Sequence, residues 1–260
     1  MIAAPYQFND TEMILFFMVL VRMTAFVVSW PVFGIANISA PVKILFAAVL
    51  SFVVFPTLKF QVAQVQAIES DLILLAAREA FIGLSVGYLG QFFFFAFRIG
   101  GDMITQALGL GAAQMFNPAL GGQTSSLEQF YVGLASLFYL AVNGHHFLIT
   151  GLVGTFDVVP VAQLTLNTSQ FFGLGHMAQE VIELGLKLSA PIVISILVVN
   201  LILGVVGKTV PQLNVLVTSF PVNILAGFAL MIVTLPMMID QMPAFLELST
   251  TRVFQFVGSF

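Results

Sequence analysis

The feature that most constrains this chain is a set of long apolar runs with almost no charge inside them: Met13 to Ala36, Val42 to Leu58, Leu72 to Phe97, Leu127 to Thr155, Leu188 to Gly207 and Leu213 to Ile239. Stretches of about 20 such residues have the length of helices that cross a bilayer. None shows sustained alternation of apolar and polar residues, which disfavours a lipid-embedded barrel. The expectation is an all-α, hydrophobic multi-helix membrane protein of about six long, partly broken helices, forming one domain over residues 1–260. Only 8% of the side chains are charged, against the roughly 25 to 35% that keeps a soluble surface dispersed. Lipid or partner subunits must therefore solvate much of the surface.

The same arithmetic excludes several functions. Eight Lys and Arg face twelve Asp and Glu, for a net charge of −4, so nucleic acid is not a partner. No cysteine is present, which removes disulfides, thiolate metal sites and thiol nucleophiles. His145 and His146 are adjacent, a spacing that does not present both to one metal as an i, i+4 pair would. Nucleotide-binding, hydrolase and metalloprotease motifs are absent, so neither an enzyme nor a cofactor is expected. Asp10 and Glu12 occupy the place where a cleavable signal would carry basic residues, and the first apolar run is read as retained.

Orientation is not set by charge. If all six runs spanned, Lys43, Arg98 and Lys208 would lie on one side and Lys59, Arg78, Lys187 and Arg252 on the other. Either partners fix the topology or the helices do not all cross in the usual way. Breaks are expected at Pro31, Pro41, Pro56, Pro118, Pro160, Pro211 and Pro221, since the residue before proline is pushed from the α region. Loops are expected over 59–71 and 157–170. A separate amphipathic helix is expected over 244–257, with Phe245, Leu246, Val253, Phe256 and Val257 on one face.

Ionisable residues within apolar runs usually face a bundle interior or a wet cavity. Arg22, Arg78 and Glu79 are of this kind. Arg98 with Asp102 and Glu183 with Lys187 are four apart and can pair along one helix. Structural pairing is favoured over a proton relay. The segment from Gly109 to Gly122 combines Gly109, Gly111, Gly121, Gly122 and Asn117-Pro118, which oppose a continuous helix, with apolar Leu110, Met115 and Phe116. Its composition fits equally a plug that seals a pore and a plain surface connection. Pro211-Gln212-Leu213-Asn214 is read as a helix-to-helix corner in which Gln and Asn bond freed backbone groups. Asn143 and His145 are expected to make buried interhelical hydrogen bonds.

Asn143-Gly-His-His-Phe-Leu-Ile149, then Lys208-Thr-Val-Pro-Gln-Leu-Asn-Val215 with Phe220-Pro221-Val222, and the early Arg22 followed by Trp30-Pro-Val-Phe-Gly34, together resemble the FliR family of flagellar export-apparatus proteins, whose type III secretion relatives share the pattern. The resemblance implies a non-enzymatic subunit of the export gate at the flagellar basal body, in the inner membrane. It implies assembly with FliP and FliQ, association with FlhB, and passage of unfolded flagellar substrates. It assigns residues 109–122 to the family's plug loop. Asn117 stands where many relatives carry Asp, which keeps the turn but drops the charge, and Leu216 stands where an aromatic is common. Three other readings stay open: an injectisome export-gate subunit, a small-solute transporter with a midplane site at Arg22, Arg78 and Glu79, and a membrane scaffold without a pore.

Overall fold

The computed structural model describes residues 10–30, 38–58, 72–111, 126–161, 170–210, 212 and 214–257. These residues form eight α-helices and no strand: α1 (Asp10–Ser29), α2 (Ala40–Val54), α3 (Leu72–Gly90), α4 (Phe92–Ala107), α5 (Ser126–Ala141), α6 (Gly144–Val158), α7 (Gln170–Thr209) and α8 (Val215–Val257). A 3₁₀ turn over Phe55–Thr57 extends α2. Five helices are long and apolar enough to cross a membrane, or six if α5 and α6 count as one broken span.

Local chemistry explains several of the ends. Ser39 is extended and precedes α2, whose first turn holds Pro41, where the missing N–H costs nothing. The expected Leu72 to Phe97 run is broken at Gln91, whose backbone N–H bonds the Tyr88 carbonyl while its side-chain Nε2 donates to the Ser29 carbonyl at 2.6 Å. The Leu127 to Thr155 run breaks at Asn143, held in the left-handed region at φ 57°. A short side chain that hydrogen-bonds locally makes Asn one of the few non-glycine residues to adopt it.

Two expectations are corrected. Phe220-Pro221 does not break the chain, because α8 continues through Pro221, Pro236 and Pro243. Consequently residues 244–257 are the last third of α8 and not a separate helix. Proline removes one hydrogen bond per site but does not end a helix whose neighbouring turns are packed. Within α7, Pro191 is carried in the same way.

The expected domain is organised as two compact units built from non-contiguous stretches. The first holds α1, α2, α3 and α6, with α1 at its centre. Here α3 lies close on α1 because Gly83 and Gly87 offer no side chain: a Cβ on Gly83 would meet the Arg22 carbonyl, and one on Gly87 would meet the Ser29 hydroxyl. Phe26 and Trp30 stack at 5.1 Å between centroids.

The second unit holds α4, α5 and most of α7 and α8. Gly100 and Gly185 bring α4 and α7 together, and the Ser189 hydroxyl donates to the Met103 Sδ at 3.4 Å. Phe93, Phe94 and Tyr139 tie the start of α4 to the end of α5. Phe97 lies against Phe245 and Leu108 against Gly227, so α8 runs antiparallel to α4. α7 and α8 form a hairpin, with Gly207 against Val215 near its tip.

Candidate functional site

The glycine-rich segment leaves α4 through a defined turn. Leu108 N–H bonds the Ile104 carbonyl, Gly109 N–H bonds Gln106, and Leu110 N–H reaches back to Thr105. The last two bonds are the 5→2 and 6→1 pair of a Schellman motif. Such a motif needs a residue at positive φ, and Gly109 provides it at φ 75°. Its Cα lies against the Phe220 ring: a Cβ there would be 2.9 Å from Cε1 and 3.0 Å from Cδ1. Leu110 is 37% exposed and Gly111 borders open space. Met115, Phe116, Asn117, Pro118, Gly121 and Gly122 lie outside the described residues.

At the α7–α8 corner, Gln212 is in an exposed turn and Pro211 is outside the described residues. Asn214 caps α8: its Oδ1 accepts from Val217 N–H at 3.4 Å, and its carbonyl accepts from Thr218 N–H at 3.0 Å. Pro221 lies on the exposed side of α8.

The charged residues divide into one sealed network and several surface pairs. Arg22 is fully buried. Its Nε donates to Glu79 Oε2 at 2.5 Å, Nη1 donates to Thr155 Oγ1 at 2.9 Å, and Nη2 donates to the Val159 carbonyl at 3.1 Å. The Phe156 ring covers the guanidinium at 4.0 Å from Cζ. α1, α3 and α6 are thereby tied through one side chain. Arg78, which precedes Glu79 in sequence, is half-buried. In the second unit, Arg98 Nε lies 3.1 Å from Glu128 Oε1 instead of pairing with Asp102, which accepts from Gln106 Nε2. The reason is Gly101: without a Cβ, it lets the backbone of Glu128 approach the face of α4 that Arg98 shares. Glu183 and Lys187 pair at 2.7 Å, both well exposed.

The model of bacterial export proteins, family 1, matches residues 13–248. This chain belongs to that family. Its FliR relatives include the flagellar biosynthetic protein FliR of Bacillus subtilis, 34% identical over 84% of this chain and 85% of the relative. The FliR of Escherichia coli is 30% identical over 86% and 85%. That of Pectobacterium carotovorum is 28% identical over 96% and 95%.

The FliR-like motif around Asn143 has a different structural role from the one expected. Asn143 is exposed and forms the left-handed turn into α6, and its side chain makes no capping bond. His145 is half-buried, its ring 4.2 Å from that of His146, and no hydrogen bond reaches its Nδ1 among the described residues. Among those residues no group of three or more His, Cys, Asp or Glu could hold a metal ion.

A polar contact that no motif in the sequence pointed to joins the two long helices. Asn223 Nδ2 donates to Asn200 Oδ1 at 2.9 Å across the α7–α8 hairpin. Two amides stand in otherwise apolar runs, symmetrically about the Pro211-Gln212 corner. That symmetry is the signal that would have paired them.

Proposed function

We propose that this chain is a non-enzymatic pore subunit of the flagellar type III protein export gate, assembling with FliP and FliQ beside FlhB in the bacterial inner membrane. In this reading residues 109–122 seal the channel until unfolded flagellar substrates pass. The FliR relatives carry the name of flagellar biosynthetic proteins, which favours flagellar over injectisome service.

The observation that carries the proposal is the length and dress of the α7–α8 hairpin. α7 has 40 residues and α8 has 43, so each extends about 60 Å. A bilayer core is about 30 Å thick. Outward residues are apolar along about one bilayer thickness of each helix, including Leu197, Leu201 and Val205 on α7 and Leu225, Ile232 and Met237 on α8. Beyond that stretch His176, Gln179, Glu183 and Lys187 on α7 and Asp240, Gln241 and Glu247 on α8 are exposed. Each helix therefore reaches about 30 Å past what lipid covers, a length that supports its continuing into an assembly with partner subunits. A solute transporter would need its intramembrane charges available, whereas Arg22 and Glu79 are spent on each other.

The test is ion conductance of the assembled complex after residues 112–122 are shortened. The proposal expects a leak with the complex intact. Unchanged conductance in an intact complex would exclude the plug.

A further inference from the structure

We propose that Asn200 and Asn223 are positioning residues for the root of the plug: they fix the register of the α7–α8 hairpin so that Phe220 and Gly227 clasp the end of α4 at Leu108 and Gly109. The inference rests on the plug reading above for its functional meaning, but its geometry stands by itself.

Phe220, Asn223 and Gly227 are spaced three and four apart, so they share one face of α8. Leu108 is fully buried and fills the notch left by Gly227. The Phe220 ring edge rests on Gly109, the residue whose positive φ sets the direction in which the chain leaves α4. Two turns of α8 therefore hold both sides of the Schellman turn. Apolar contacts between two Leu- and Val-rich helices do not choose one register strongly, because neighbouring registers bury similar surface. A polar pair in apolar surroundings does choose, since a shifted register leaves both amides without each other. Asn223 is only 6% exposed, and the pair is linked by one hydrogen bond from its Nδ2. A slip of one helical turn would carry Phe220 about 5.4 Å from Gly109.

The natural chain has no cysteine, so a single spin label at Leu110→Cys reports on the turn in the full-length protein within its native complex. Asn200→Leu keeps the size of an exposed residue and removes the acceptor. It should enlarge the mobile fraction of the label about three-fold, the population change expected for one interhelical hydrogen bond. Asn200→Asp keeps an acceptor oxygen in either protonation state and should retain the ordered signal. Gly227→Ala should mobilise the label, and Gly227→Ala with Leu108→Ala should restore order by returning the space. An unchanged label in both Asn200→Leu and Gly227→Ala, with normal complex abundance, would overturn the clasp. Ion leak is read in parallel on the unlabelled variants. A mobilised turn with a tight channel would uphold the clasp and defeat the plug reading.

Discussion

Arg22 and Glu79, 57 residues apart in sequence, share a 2.5 Å hydrogen bond with both side chains sealed from solvent. Removing one member of a buried pair leaves an uncompensated charge, at a cost of about 3 to 5 kcal/mol. Glu79→Gln and Arg22→Met should each lower thermal stability in detergent and abundance in the membrane. Arg22→Met combined with Glu79→Leu should recover most of the loss, since apolar replacement of a whole buried pair is often neutral. Single variants as stable as the parent would show that the network does not hold α1, α3 and α6 together.

Gly109→Ala places a Cβ at positive φ, at roughly 1 to 2 kcal/mol, and against the Phe220 ring. Adding Phe220→Ala should relieve the contact but not the backbone strain, so the double variant should regain only part of the stability. A double-mutant cycle by thermal unfolding measures the two parts. Full recovery would mean that the turn tolerates another backbone conformation.

Glycines of this chain should respond to alanine with opposite signs. Gly83→Ala meets the backbone carbonyl of Arg22, which has no rotamer to move aside, and overpacking of this kind costs about 1 to 3 kcal/mol. Gly133 and Gly154 border open space within helices, and alanine there should stabilise by roughly 0.5 to 1 kcal/mol. Melting temperatures of the three variants decide it. Equal shifts would contradict the close approach of α1 and α3.

The exposed Glu183–Lys187 pair should matter little. Replacing both by Gln should change stability by less than about 0.5 kcal/mol and leave export intact. Selective loss of export at normal abundance would give the pair a role in passage.

The helical class was legible because long apolar runs admit few folds in lipid, and the corner at Asn214 was legible from residue chemistry. Tertiary pairings were not. Arg22 and Glu79 each stood out as ionisable residues within apolar runs, but nothing local links positions on α1 and α3. For Arg98, the i, i+4 rule pointed to Asp102, whereas Gly101 brings Glu128 nearer. Proline misled at Pro221, where α8 continues despite one lost bond, as it also does through Pro236 and Pro243. Glycine at position 109 marks the turn that its positive φ makes, while the Phe220 ring beside it became visible only once α8 was folded against α4.

The most direct measurement is native mass spectrometry of the tagged chain purified in mild detergent from its own membranes. The account predicts a complex of fixed stoichiometry with two other hydrophobic subunits, FliP and FliQ. Recovery as a lone monomer or a homo-oligomer would contradict it and shift the weight to a transporter.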